Sequence, residues 1–406
     1  MARVVVVGAG IVGLALGARL AARGDDVTVV DKEDELAAHQ TGRNSGVVHS
    51  GLYYAPGSLK ARYAAAGAVS MIEYARSRGV AAEVTGKLVV AVTEDELGRL
   101  ATLEARGRAN GVPLARLTPD EAREVEPHVA CVAALRVDTT GIVDYRGVCA
   151  ALAADITAAG GRVLLGTPVI AARTTARGVQ VLVGHGERPQ DRETLEADLM
   201  VACGGLHADR LARASGVEPD ARIVPFRGEY FELTPRAAAL VRGLIYPVPD
   251  PQFPFLGVHL TRSVEGGVHV GPNAVLALAR EGYRWRHVSP ADVADALSWP
   301  GLWRLGAKAW RPGAREVARS LSRRLFAESL ARLVPGITQD DLVPAPAGVR
   351  AQALQRDGSM VDDFLVRTGP RQVHVLNAPS PAATAALEIA THLERTADDA
   401  LALARR

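Results

Sequence analysis

The sequence predicts an α/β fold in which a parallel-sheet domain is interrupted, not followed, by an α+β domain built on a mixed or antiparallel sheet. Three observations carry this expectation. A strand–turn–helix–strand unit opens the chain, residues 216–275 are rich in strand patterns, and the tail returns to strand–helix character.

The opening unit is an apolar run at 3–7 (RVVVV), suited to a buried parallel strand. A helical pattern at 11–23 and a second strand at 26–30 (DVTVV) follow, ending on Asp31. Helical patterns come next at 58–79, 94–111, 119–125 and 145–159, then strands at 162–165, 168–174, 178–184 and 198–202. Helices dominate 290–333, and the tail reads as a strand (HVLNA) and a helix over 381–395. These alternations assign 1–80, 145–215 and 335–406 to a nucleotide-binding domain, and 81–144 and 216–334 to a substrate-binding domain.

Composition narrows the function classes. The 406 residues are 48% hydrophobic and 23% charged, ordinary for a folded globular chain. A net charge of +2 gives no reason to expect nucleic-acid binding. Cys131, Cys149 and Cys203 are widely spaced and odd in number, which suggests neither a disulfide framework nor a zinc site and fits a reducing, cytoplasmic compartment. No spacing of His, Asp and Glu resembles a metal site. No stretch of roughly 20 apolar residues is present, so the expected protein is soluble or rests on a membrane surface.

The chemistry begins at Gly8-x-Gly10-x-x-Gly13. The first glycine allows a tight turn, the second lets backbone approach a pyrophosphate, and the third lets helix pack on strand. The helix N-terminus offers a positive dipole end, and Asp31 can accept from ribose hydroxyls. With strand, helix and acid in register this is a Rossmann-type dinucleotide site. The loop QTGRNSGVVHSGLYY (40–54) can present backbone N–H groups and the hydroxyls of Thr41, Ser45 and Ser50 to a flat ligand, which favours FAD over NAD; a plain surface loop is the alternative.

Three further features bear on a reaction. Oxidising a C–H beside a hydroxyl needs a base, and His49, in the loop, and His259, in an alternating strand, are candidates; a structural hydrogen bond is the competing role. Arg350, in the apolar run PAGVR, requires an anion: a ligand carboxylate or an internal partner. All four tryptophans (Trp285, Trp299, Trp303, Trp310) fall in one segment. Trp299, Trp303 and Trp310 fit one helical stripe, and Arg304, Lys308, Arg311, Arg315 and Arg319 another, with Pro300 and Pro312 expected to break any single long helix. Residues 299–324 therefore suit either a Trp face packed on the core or contact with an anionic membrane.

Taken together, several segments resemble the L-2-hydroxyglutarate dehydrogenase/oxidase family of the D-amino-acid-oxidase-like FAD superfamily. They are TGRNSGVVHSGLYYAPGSLKA (41–61), FRGEYFEL (226–233), FLGVHLTR (255–262), GPNAVLA (271–277), PAGVRAQAL (346–354), DDFLV (362–366) and NAPSPAATAALEI (377–389). The resemblance implies a glutathione-reductase-like FAD domain and noncovalent FAD. The residues it places on the cofactor are Gly8, Gly10, Ile11, Val12, Gly13, Asp31, Lys32, Thr41, Ser45, Gly46, Val47, His49, Val169, Cys203, Gly204, Gly348, Asn377, Ala378, Pro379 and Ser380. The last four form a turn ahead of the final helix, whose N-terminus would face the isoalloxazine. The implied reaction oxidises a 2-hydroxy dicarboxylate, with His259 or His49 as base, Arg350 on the first carboxylate, and Tyr53, Arg262, Lys60 and Arg43 as further substrate contacts. Quinone or oxygen would accept the electrons. Another 2-hydroxy acid or an amino acid as substrate, or a flavin-binding protein without turnover, are the alternatives.

Overall fold

The computed structural model describes residues 1–184, 191–250 and 257–404, so Phe255 and Leu256 of the FLGVHLTR segment lie outside the described residues. The opening unit forms as its pattern dictates: strand Arg3–Val7, helix Ile11–Ala22 and strand Asp26–Val30. The two strands are parallel, and Arg3–Val7 is flanked on its other side by Leu199–Ala202, also parallel. The six-stranded sheet runs Leu365–Gly369, Gln372–Asn377, Leu199–Ala202, Arg3–Val7, Asp26–Val30, Arg162–Leu164, with only the 365–377 hairpin antiparallel. Its near-continuous apolar strands are covered on one face by the helices Ile11–Ala22, Tyr145–Ala158 and Ala386–Leu403.

No side chain fits where this unit turns. A Cβ on Gly13 would lie 2.0 Å from Gly8 O, and one on Gly8, at φ +110, would lie 2.5 Å from Cys203 O. The glycines therefore set how closely the helix meets both central strands.

The second sheet has nine strands and is mostly antiparallel. Across its middle run Arg222–Leu233, Val268–Gly271, His259–Arg262, Leu244–Pro247, Lys87–Ala91 and Ala133–Val137. Its two faces bury different sets: Val89, Leu135, Val137, Leu244 and Tyr246 on one, Leu88, Val90, Ile245, Leu260 and Val270 on the other. Residues 342–354 depart from the sequence expectation. Assigned there to the nucleotide-binding domain, they form a thirteen-residue strand, Leu342–Leu354, hydrogen-bonded along Arg222–Leu233 of the nine-stranded sheet. Pro344, Pro346 and a register shift near Gly228 break the alternation that would have announced it.

The stretch Pro300–Leu321 is two helical pieces meeting at a kink at Ala309, so the expected break of a single long helix is present. One helix differs. The last helix spans Ala386–Leu403, not 381–395. Pro379 and Pro381 donate nothing, and residues 382–386 use mixed turn bonds (Ala382 N–H to Pro379 O, Ala385 N–H to Pro381 O, Ala386 N–H to Ala383 O) before regular pitch begins.

One buried ion pair fastens the segment 275–298 to the nucleotide-binding sheet. Arg280, 1% exposed, bonds both oxygens of buried Asp209, Asp295 at 2.8 Å and Leu206 O at 2.7 Å. Asp209 also accepts from the Ile223 backbone N–H. Removing one partner strands the other in low dielectric, so Arg280→Met should lower unfolding stability by about 3–5 kcal/mol. Urea denaturation checks this; a loss below about 1 kcal/mol would show that Asp209 finds solvent or another partner.

Candidate active site

The two sheets enclose an elongated cavity of about 1220 Å³. At one end it is walled by Gly8, Gly10, Ile11, Val12, Gly13, Asp31, Lys32, Val169, Cys203 and Gly204, at the other by His49, Tyr53, Tyr246, His259 and Arg350. Thr41, Ser45, Val47, Arg43, Lys60, Gly348, Ala378, Pro379 and Ser380 also face it. Residues as far apart in sequence as Gly8 and Ser380 are thus brought to one space.

The glycine end fits a dinucleotide. A Cβ on Gly10 would meet only Thr41 Oγ1, at 3.4 Å, so backbone faces open space there. The Ile11–Ala22 helix has no acidic residue in its first turn and no side-chain bond from its cap, leaving its positive end for an anion. Thr41 Oγ1 accepts from Ile11 N–H at 3.2 Å, which pins the loop to that helix end. Asp31 accepts from Ala9 N–H at 2.6 Å and Glu33 N–H at 2.9 Å, and its remaining lone pairs can take ribose hydroxyls. Cys203 contributes backbone; burial pushes its thiol up to about 12, so it is unreactive there. Lys32 pairs with Glu33 and, at 2.7 Å, with Glu281. His39 completes a cluster with these two acids, both of which the Lys32 ammonium already pairs with.

Several sequence expectations need correction. Arg262 is exposed, bonded to Arg242 O and paired with Glu83 at 3.7 Å, away from the cavity. Strand alternation sends its side chain to the opposite face from His259 and Thr261. Asn377 is a buried strut, its amide donating to Val361 O and Asp363 O, and it does not line the cavity. Gly46 and Ser50 are likewise off the wall: Gly46 is consumed in the pairing with Val143, and Ser50 is buried. The final helix begins at Ala386 with Glu388 in its first turn, and the cavity wall ahead of it is 378–384. Lys60 pairs with Asp362 at 3.1 Å, and the Arg43 guanidinium lies over Tyr283 at 4.0 Å. Trp299 is buried, its Nε1–H bonding Leu354 O, whereas Trp303 and Trp310 are 62% and 63% exposed, so the expected tryptophan stripe is split.

At the other end, neighbouring strands build a polar row on one face of the nine-stranded sheet. His259 lies beside Tyr246, their rings stacked at 4.0 Å. His259 Nδ1 lies 2.8 Å from Gly257 O, so Nδ1–H donates and Nε2 is the acceptor. Burial, reinforced by Arg350 and Lys87, holds His259 at about 4. Burial, with the Lys87 and His259 charges, holds His49 at about 3; its backbone N–H bonds Thr384 Oγ1 and its Nδ1 has no partner. Both imidazoles are therefore neutral near pH 7 and able to take a proton. Arg350 bonds Asn273 O at 3.2 Å, and burial lowers its pKa.

Sequence reasoning missed Lys87. It opens the wholly buried strand KLVVA, is 3% exposed, and sits over the rings of Tyr53 at 4.4 Å and Tyr246 at 4.9 Å. Among the described residues it has no carboxylate partner, and burial lowers its ammonium to about 7. A lysine beginning an all-apolar strand was the available signal.

The architecture is that of flavoprotein oxidoreductases. A solved L-α-glycerophosphate oxidase from Mycoplasma pneumoniae with FAD bound superposes with a TM-score of 0.80 at 22% identity over 98% of this chain and 94% of that one. Glycine oxidase from Geobacillus kaustophilus gives 0.73 at 19% identity over 98% and 95%. The model of the family described as FAD dependent oxidoreductase (DAO) matches residues 3–395, and the chain belongs to that family. It is an FAD-dependent enzyme. Proteins named L-2-hydroxyglutarate dehydrogenase are similar to it at 44% identity in Indibacter alkaliphilus (95% of this chain, 96% of the relative) and 42% in Escherichia coli (96% and 91%). The human mitochondrial protein of that name is 42% identical over 95% of this chain and 86% of its own.

Lys87 also yields a stability prediction. The folded chain gives up its proton near 7, while the unfolded chain holds it to about 10.5, so the cost of burying the charge is greatest below 7 and fades as pH rises toward 10.5. Lys87→Met should raise Tm at pH 6.5, with the gain shrinking by pH 9.5. A gain independent of pH would mean the ammonium is not the source.

Proposed function

We propose that this chain oxidises L-2-hydroxyglutarate to 2-oxoglutarate. The observation that supports it best is His259, neutral, with Nε2 as its acceptor, in a cavity that also holds the Arg350 guanidinium. The substrate after which relatives at 42–44% identity over nearly the whole chain are named supports the choice.

Arg350 would hold the carboxylate beside the hydroxyl by a bidentate pair, fixing which C–H faces the cofactor. His259 Nε2 takes the hydroxyl proton, with Nδ1–H anchored on Gly257 O so that the ring does not turn. His49 is the second neutral imidazole in reach of the same space. The Gly8–Gly13 turn, Asp31 and the 41–49 loop would hold FAD without a covalent bond, and the bound cofactor would supply the acceptor for the hydride. The enclosing walls, Tyr53, Tyr246 and Pro379 among them, exclude water from the reacting carbon. The division into a discontinuous FAD-binding domain and a substrate-binding domain belongs to the same reading, with the Leu342–Leu354 strand on the substrate side.

Electrons would leave to a quinone or to oxygen. No helix among the described residues is long and apolar enough to cross a membrane. Exposed Trp303 and Trp310, seven residues apart on the kinked helix beside exposed Arg304 and Lys308, suit contact with an anionic inner membrane face; the side chains of Arg311 and Arg315 lie outside the described residues. The three free thiols suit a cytoplasmic location.

Anaerobic mixing with L-2-hydroxyglutarate should bleach the flavin spectrum, and His259→Asn should slow that bleaching by about 10²–10⁴-fold. Arg350→Ala should reduce kcat/KM by about 100-fold or more. The acid limb of kcat/KM in the unchanged protein should fall near pH 4, where His259 gains its proton. No bleaching by this acid, with bleaching by another, would move the substrate assignment. For the surface helix, Trp303→Ser with Trp310→Ser should reduce sedimentation with anionic liposomes several-fold; equal sedimentation would return the helix to ordinary surface.

A further inference from the structure

A 2-hydroxy dicarboxylate brings two negative charges into the cavity, and Arg350 answers one. The cations expected for the second are committed elsewhere: Arg262 is off the wall and paired with Glu83, Lys60 is paired with Asp362, and Arg43 is stacked on Tyr283. Lys87 is the buried ammonium without a carboxylate partner among the described residues. Burying such a charge costs several kcal/mol unless an anion meets it.

The sheet puts that ammonium at a telling place. Strand order carries His259, Tyr246 and Lys87 on consecutive strands, and the register aligns Tyr246 with Val89, so Lys87, two residues earlier, shares its face. His259 and Lys87 are two strand steps apart, about 10 Å between backbones; His259 lines the cavity, and Lys87 stands off it with its ammonium on the Tyr53 and Tyr246 rings that form the wall. A five-carbon diacid spans roughly 6 Å from its hydroxyl to its far carboxylate, short of the backbone separation, so side chains must supply the rest of the reach. Arg350 and Lys87 both act electrostatically on His259, so both cations are within range of the neutral base.

The donors are also present. Tyr53 OH, Tyr246 OH and His49 Nδ1 are buried and make no hydrogen bond, and all three residues line the cavity. Tyr246 has Thr261 as its polar neighbour, yet neither hydroxyl bonds. Burial raises both phenols, so they keep their protons and can only donate to an anion. The Lys87 ammonium sits over both of those rings.

We propose that Lys87 is the counter-charge for the second carboxylate of the substrate, and that the Tyr53 and Tyr246 hydroxyls are the donors that hold it. The site selects a dicarboxylate because a monocarboxylate leaves the ammonium and two phenols unmatched, an expensive state in a buried pocket. This assignment rests on the cavity being a 2-hydroxy-acid site, and its test separates the two ideas.

The experiment compares 2-oxoglutarate with 2-oxopentanoate, equal in length and differing in the second carboxylate. Binding to the FAD-loaded protein is followed by perturbation of flavin absorption. The unchanged protein should prefer the diacid by about 30-fold or more, the size of a lost charge-assisted bond. Lys87→Met should bring the two ligands within about threefold by weakening the diacid alone. The variant removes a costly buried charge and should fold; Tyr53→Phe with Tyr246→Phe gives a second reading and should also reduce the preference. A preference kept in both variants, or equal weakening of both ligands, overturns the assignment while leaving the 2-hydroxy-acid reading intact. Absence of binding by either oxo acid to the unchanged protein sinks that reading itself.

Discussion

The structure depends first on a place where no side chain can exist. Strand Arg3–Val7, the helix after it and strand Leu199–Ala202 meet so closely that Gly8 and Gly13 have backbone oxygens where a Cβ would be. This contact sets the helix angle, and the angle points its unneutralised N-terminus into the cavity. It also brings Cys203 and Gly204 to the wall, so one steric condition positions both flanks of the nucleotide end. The nine-stranded sheet is then held over this base by Arg280 and Asp209, a pair that tolerates burial because each charge has several partners.

The chemistry at the far end follows from desolvation. Burial keeps two histidines neutral and lowers Lys87 and Arg350, so the site is poised between accepting a proton and accepting negative charge. Neither effect resides in one residue. The tyrosines that wall off water are the same groups that lie beneath the Lys87 ammonium, and stacking joins one of them to His259.

Much of this was legible in the sequence. The glycine turn with its strand, helix and Asp31 could be assigned because local sterics alone dictate it, and His49, His259 and Arg350 do meet in one cavity. What escaped was long-range. The Leu342–Leu354 strand has an irregular pattern and gains its identity from pairing with Arg222–Leu233. Arg262 looked suitable by charge, but strand alternation turns it outward. Asn377 sits in a matching segment yet serves to tie the 361–363 loop to the end of its strand. Lys87 was overlooked because its only mark is being charged among apolar neighbours, and its meaning depends on Tyr53 and Tyr246, distant in sequence. Trp303 and Trp310 shared a period with Trp299, but the helix begins at Pro300, and Trp299, as its cap, turns into the core instead.

The strand order of the smaller parallel sheet has a consequence for how the chain is made. Leu199–Ala202 lies between Arg3–Val7 and Gln372–Asn377, and the helix Ala386–Leu403 packs on Ile11–Ala22, with Arg23 reaching Asp398 at 2.9 Å. Strand Arg3–Val7 must therefore wait for residues 372–403 before its sheet and helical cover are complete. Such late closure raises the contact order, slows folding and leaves Val-rich strand edges uncovered during synthesis. Chaperone demand and inclusion-body formation should accordingly track translation of residues 372–403 more than any property of the finished molecule.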